Sequence, residues 1–106
     1  MQTCELERYV KEQIKRSPKL GTLSNERLLC FGVTGLNEEA GEVAGLLCRE
    51  IYKKEDMPRE EWVNELGDTL WYLTAVVTAL GLTLEDLYKY NEQKLEKRYG
   101  RERERG

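Results

Sequence analysis

The chain has 106 residues, a formal net charge of −3 and no histidine. This length fits one small domain, and the charge does not favour nucleic acid or an anionic membrane as a partner. The lack of histidine excludes Ser-His-Asp and Cys-His catalysis and any histidine-ligated metal, so chemistry would rest on carboxylates, Lys, Arg, Tyr or a hard cation.

Four helices and no strand are predicted, which makes the fold class all-α. The chain is rich in Leu, Glu, Lys and Arg and has two prolines, a composition that favours helices. The first helix covers roughly residues 3–16, where Leu6, Val10 and Ile14 recur at four-residue spacing. Pro18 then breaks the pattern.

The second helix is predicted to start after Ser24, a good N-cap, and to end at about Lys54. It contains four glycines, each costing about 1 kcal/mol relative to alanine. They are Gly32, Gly35, Gly41 and Gly45. We expect close approach of another helix at these positions, with a kink near Gly35 as the alternative.

The third helix is predicted from Pro58, in its first turn, to about Leu80, with Gly81 as a left-handed terminator. One apolar stripe and one stripe with acidic residues run along it. The apolar stripe is Trp62, Leu66, Leu70, Leu73, Val77 and Leu80, and the other begins Glu65, Asp68, Tyr72. The second half is apolar almost all round, so we expect burial on several sides and Trp62 in the core.

The fourth helix is predicted to be capped by Thr83, with Glu85 and Asp86 in its first turn, and to end at Gly100. Residues 101–106 alternate Arg and Glu and are expected to form a frayed, solvated end.

The cysteines, Cys4, Cys30 and Cys48, lack CxxC spacing and lie beside apolar residues in helical patterns. We therefore expect small buried side chains, not a zinc site. The N-terminus does not resemble a signal peptide, and the longest apolar region is too short to cross a bilayer. A cytoplasmic location is expected.

Two acidic clusters are the main candidates for a site. Glu38, Glu39 and Glu42 form the first, and Glu65 and Asp68 form the second. Acidic residues three apart share a helix face and repel each other unless a cation lies between them. Carboxylates from two antiparallel helices are suitable Mg²⁺ ligands. A solvated acidic face would explain either cluster alone, but both together favour a metal site.

These clusters and their flanks carry a resemblance to a known family. The segments 35–43 and 65–73 resemble those of MazG-like nucleotide pyrophosphohydrolases, in the all-α NTP pyrophosphatase superfamily, whose signature is EExxE followed by ExxD. The resemblance continues through 81–87 and 91–99, and covers about 23–100. It implies a four-to-five-helix bundle that forms a homodimer or homotetramer.

The implied activity is Mg²⁺-dependent hydrolysis of a nucleoside triphosphate to a monophosphate and pyrophosphate, with Mn²⁺ as a substitute. The resemblance implies that Glu39, Glu42, Glu65 and Asp68 hold the metal. Glu38 stands where many relatives have glycine, so three roles stay open for it: an outer ligand, a base that orients water, or a surface residue. Glu39 is the other candidate for that base.

The substrate contacts implied by the resemblance lie mainly outside the carboxylate clusters. Asn91 and Lys94 would contact phosphates, and Tyr72 would line the base or sugar pocket. Lys53 or Lys54 would add positive charge near the triphosphate. Arg98 lies one turn after Lys94, on the same face, and is a further phosphate candidate.

Two alternatives remain open. Phosphoribosyl-ATP pyrophosphohydrolase is a related enzyme with a similar carboxylate set. A non-catalytic helical oligomerisation or regulatory module belongs to another class, and its acidic clusters would be solvated faces or a structural cation site.

Overall fold

The computed structural model describes residues 3–105, with side chains for 5–100. Within these residues the chain is helical and contains no strand, which confirms the all-α prediction. The helices are α1 (Thr3–Arg16), a short 3-10 helix (Leu20–Thr22), α2 (Asn25–Tyr52), α3 (Arg59–Ala79) and α4 (Leu84–Arg105).

The α2–α3 pair is antiparallel and closely packed, because Gly32 and Gly35 leave room for α3. A Cβ atom at Gly32 would lie 2.9 Å from Val76 Cγ2, and one at Gly35 would overlap the Tyr72 ring. The close approach predicted for these two glycines is confirmed, and α2 runs through Gly35 as one continuous helix.

The same prediction is wrong for the other two glycines of α2 in the single chain. A Cβ atom at Gly41 or Gly45 would meet nothing within 4 Å. Both positions face open space beside the point where α2 carries its acidic residues.

The core lies where α1 packs against α2 and α3. Val10, Ile14, Leu28 and Ala75 form its buried cluster. The apolar residues of α1 that recur at four-residue spacing therefore form the buried face of this helix.

Local signals define three helix ends as predicted, at Ser24, Gly81 and Thr83, whereas Pro58 is the N-cap of α3 and not part of its first turn. The Ser24 hydroxyl accepts a hydrogen bond from Arg27 N at 3.2 Å, and Gly81 is left-handed, with φ of +73°. At the start of α4, Asp86 N donates to Thr83 Oγ1 and Thr83 N donates to Asp86 Oδ2, each at 3.0 Å. This reciprocal pair is a capping box.

Helix α4 runs at 95° to α3 and is anchored by α1. The buried Glu7 carboxylate accepts a hydrogen bond from Leu84 N at 2.6 Å. The predicted end at Gly100 is wrong, because α4 continues to Arg105. Arg and Glu are good helix formers, and a single glycine costs only about 1 kcal/mol. The side chains of 101–105 and all of Gly106 lie outside the described residues.

The expectation that the second half of α3 is buried on several sides is confirmed in part, because Thr74, Ala75 and Val77 are buried there whereas Leu80 is exposed. Leu66, Leu70 and Leu80 are 52%, 43% and 54% exposed, whereas Thr74 and Ala75 are fully buried. The reason is that α1 and α2 both pack against the stripe that begins with the acidic residues.

Trp62 is half-buried, and its indole donates to Glu50 Oε1 at 3.1 Å. The prediction that Trp62 lies in the core is therefore confirmed only in part.

The cysteine prediction is wrong for Cys30 and Cys48, which are exposed. Each follows a buried leucine, Leu28 or Leu46, by two residues, and two residues turn a helix by about 200°. The side chain of Cys4 lies outside the described residues.

Among the described residues, no single helix is both long and apolar enough to span a membrane. Helices α3 and α4 are long and apolar enough only when they are counted together, and a bend of 95° separates them.

Candidate functional site

Helices α2 and α3 bring three carboxylates together. Glu39, Glu42 and Glu65 each offer one oxygen, and these three oxygens lie within 4.8 Å of one another. The antiparallel packing produces this convergence, since Glu65 on α3 lies opposite the acidic turn of α2. We call these three residues the carboxylate group.

Asp68, the fourth predicted ligand, lies beside the carboxylate group and is not part of it. It follows Glu65 by almost one turn of α3 and lines a cavity together with Glu39. Its negative charge is one of the causes that raise the pKa of Glu39.

The carboxylate group is electrostatically unfavourable without a cation. The pKa of Glu65 is raised to about 7, first by the hydrogen bond it shares with Glu42, then by partial burial and the Glu42 charge. The pKa of Glu39 is also raised, mainly by burial and next by the charges of Glu42 and Asp68. Near neutral pH the group therefore retains a proton that a bound cation would displace.

The residues present fit a hard divalent cation. Glu39 Oε2 and Glu65 Oε2 are buried and have no hydrogen-bond partner. Buried polar atoms are normally paired, so two unpaired carboxylate oxygens in one group fit the binding of a cation. An all-oxygen donor set suits Mg²⁺ or Mn²⁺.

An aromatic cavity of about 350 Å³ adjoins the carboxylate group on one side. It is lined by Phe31, Glu39, Asp68, Trp71 and Tyr72. The Tyr72 ring packs 5.5 Å from the Phe31 ring and 5.2 Å from the Trp71 ring, between centroids. The cavity thus combines flat apolar walls with two of the predicted metal ligands, and it includes Tyr72, as the sequence predicted.

Glu38 lies on the aromatic side of the site. Burial raises the pKa of Tyr72, and the charges of Glu39, Glu38 and Asp68 raise it further. Glu38 itself is exposed and is not part of the carboxylate group. It is therefore close enough to influence the cavity, while its chemical role stays a prediction.

A second cavity, of about 310 Å³, adjoins the group on the other side, and we call it the arginine cavity. It is lined by Glu42, Gly45, Leu46, Arg49, Glu61 and Glu65. The sequence reasoning missed Arg49 and Glu61. Their spacing could have revealed them, because Arg49 follows Glu42 by seven residues and Glu61 precedes Glu65 by four, both helical repeats.

The remaining predicted substrate residues line neither of these two cavities. Lys53 and Lys54 follow the end of α2, and Lys54 has a φ of +55°. Asn91 lines a separate cavity of about 240 Å³ along α4. Lys94 and Arg98 line none of the three cavities. Their contacts with a nucleotide stay predictions.

One comparison with known proteins gives a match. The family described as MazG nucleotide pyrophosphohydrolase domain matches residues 32–101, which include every carboxylate of the site. Searches of curated proteins and of solved structures return no significant match.

Proposed function

Since the match covers well over half of the chain, the protein belongs to the MazG nucleotide pyrophosphohydrolase domain family, and we propose that it hydrolyses nucleoside triphosphates to monophosphates and pyrophosphate with Mg²⁺. One observation carries the metal-dependent chemistry. Three carboxylates from two helices converge within 4.8 Å, and two of their oxygens are buried without a partner.

In this proposal Glu39, Glu42 and Glu65 hold the metal, and Asp68 joins them from the adjoining turn of α3. A cation held by these residues would neutralise charge on the triphosphate, which is the main requirement of phosphoryl chemistry. Mn²⁺ would substitute, because it accepts the same oxygen donors.

The chain's own side chains position water and substrate. Glu39 or Glu38 accepts a proton from the water that attacks phosphorus, and the bridging P–O bond between the α- and β-phosphates breaks to give the monophosphate and pyrophosphate. The ring of Tyr72, with Phe31 and Trp71, offers a flat surface for the base or sugar.

The proposed active form is a homodimer or homotetramer. The exposed stripe of Leu66, Leu70 and Leu80 on α3 supports this, because a row of half-exposed leucines is costly in water. Assembly would also be the route by which Asn91, Lys94 and Arg98 of α4 reach a nucleotide.

The test is pyrophosphate release from a panel of normal and modified ribo- and deoxyribonucleoside triphosphates, with Mg²⁺ and with a chelator. We expect Mg²⁺-dependent turnover that Glu39→Gln abolishes. Turnover of phosphoribosyl-ATP with none of the panel would transfer the assignment to that related reaction. Absence of any turnover, with metal binding unaffected in Glu39→Gln, would favour the non-catalytic module.

A further inference from the structure

We propose that Arg49 binds the pyrophosphate portion of the substrate, so that the nucleoside occupies the aromatic cavity and the β- and γ-phosphates occupy the arginine cavity. This inference rests on the proposed function and adds to it the orientation of the substrate in the site. It also adds a phosphate-binding residue that the sequence motifs do not indicate.

The two cavities flank the carboxylate group along the α2–α3 groove. Glu39 lines the aromatic cavity, whereas Glu42 and Glu65 line the arginine cavity. Because the oxygens of all three carboxylates lie within 4.8 Å, a cation among them would border both cavities. A substrate cleaved at the metal would therefore extend into both.

Carboxylates line both cavities, so the aromatic rings and the single arginine, and not the net charge, indicate which end of the substrate enters which cavity. The aromatic cavity has flat apolar walls and, among its described lining residues, no cation. The arginine cavity contains the guanidinium of Arg49. A neutral nucleobase suits the first, and a polyphosphate suits the second.

Arg49 is placed to reach phosphates beyond the metal. It lies seven residues after Glu42, about 10 Å further along the helix axis and on the same face. Leu46, between them on that face, is buried, so α2 presents a firm wall there. A guanidinium at this distance would contact the distal phosphates, with the metal at the scissile bond.

The guanidinium of Arg49 is not committed to a structural ion pair. The ion pairs found among the described side chains are Glu12–Arg16 and Glu85–Lys89. Arg49 Nη1 instead donates to Met57 Sδ at 3.9 Å, a weak contact that a phosphate oxygen would readily replace. Three carboxylates share its cavity, and none of them is within ion-pair distance.

The experiment measures the two halves of the product separately on the full-length protein. Inorganic pyrophosphate and a nucleoside monophosphate are each titrated by calorimetry, in Mg²⁺, into wild type and into Arg49→Gln. We expect pyrophosphate binding to weaken roughly 10- to 100-fold, the range for losing charge-assisted hydrogen bonds, and monophosphate binding to stay within about twofold.

Two further variants test whether the effect depends on the forked guanidinium and on its position. Arg49→Lys retains a charge but loses the forked donor, so it should recover only part of the affinity for pyrophosphate. Arg16→Gln removes a guanidinium from the outer face of α1 and should leave both titrations unchanged. Since Arg49 is exposed, its replacement should not disturb folding, which circular dichroism would check.

The outcomes separate this inference from the proposed function. If wild type releases pyrophosphate from nucleotides but Arg49→Gln binds pyrophosphate as tightly as wild type, the role of Arg49 is wrong and the proposed function stands. If Arg49→Gln loses monophosphate binding equally, the proposed orientation is wrong. If wild type neither turns over nucleotides nor binds pyrophosphate, both proposals fall.

Discussion

The neighbouring carboxylates repel a negative charge on Glu65, and a bound proton or cation would remove this repulsion. Its hydrogen bond with Glu42 and its partial burial raise its pKa to about 7, well above the ordinary 4.5. Glu39 lies in the same group, and its own pKa is raised by burial and by the charges of Glu42 and Asp68. The metal-free protein therefore binds protons more tightly when folded than when unfolded.

The first prediction concerns the pH dependence of metal-free stability. The unfolded chain releases the Glu65 proton near 4.5, whereas the folded chain holds it to about 7. Its stabilising contribution is thus complete below pH 4.5 and is lost as the pH rises through 7. Calorimetry in a chelator should show that Tm of Glu65→Gln minus Tm of wild type increases between pH 5 and 8. A difference that is constant with pH would contradict this.

The second prediction concerns catalysis at the same residue. Glu65→Gln should lower kcat/KM by roughly 100-fold or more, because it removes a proposed metal ligand, while leaving the helical circular dichroism spectrum intact. The control is Glu12→Gln, which removes an exposed carboxylate from α1. Full activity in Glu65→Gln would remove this residue from the site.

At the level of the helices, the packing of α2 against α3 determines the geometry of the site. At Gly32 and Gly35 a Cβ atom on α2 would meet side chains of α3, and Gly35 lies about one turn before Glu39. The Tyr72 ring fills the space that a side chain at Gly35 would occupy. This contact therefore fixes both the separation of the helices and one wall of the aromatic cavity.

The third prediction compares two glycines of α2. Gly35→Ala should destabilise the protein by about 1–3 kcal/mol, because the new methyl group overlaps the Tyr72 ring. Gly41→Ala should stabilise it by about 0.5–1 kcal/mol, since that position is open in the single chain and alanine favours the helix. Urea unfolding measures both. Equal effects of the two substitutions would refute the close packing at Gly35.

The fourth prediction concerns how α4 is held. Glu7→Ala leaves the backbone N–H of Leu84 without its buried acceptor and should cost about 1–3 kcal/mol in urea unfolding. Glu7→Gln keeps an acceptor oxygen and should cost less. If both variants were as stable as wild type, α1 would not anchor α4.

The whole molecule leaves much apolar surface exposed for a chain of this size. Helix α3 packs against α1 and α2, and Leu66, Leu70 and Leu80 of its apolar stripe remain exposed. Helix α4 leaves the bundle at 95° to α3. A second copy that covered the leucine stripe would remove this surface from water.

The fifth prediction follows from that surface. Sedimentation velocity should show a dimer or tetramer for wild type and a smaller species for Leu66→Glu combined with Leu70→Glu. Both side chains are exposed in the single chain, so the substitutions should not damage its core. A wild type that sediments as a monomer would contradict the proposed assembly.

The sequence predicted local features of this molecule better than its tertiary arrangement. The helix boundaries at Ser24, Gly81 and Thr83 depend on side chains within a few residues, and these were confirmed. The exposure of the leucine stripe depends on which face α1 and α2 cover, and the periodicity of α3 alone does not decide this. The spacing of Arg49 from Glu42 places both on one face of α2, but the cavity that Arg49 shares with Glu65 exists only once the two helices pair.

The position of Trp71 gives the protein a built-in optical reporter. Its indole lines the aromatic cavity, whereas Trp62 is hydrogen-bonded to Glu50 at the other end of the helix pair. A nucleobase stacked in the cavity would quench the emission of one tryptophan and leave the other as an internal reference. Occupancy of the nucleoside end can therefore be followed by intrinsic fluorescence, in real time and without a label.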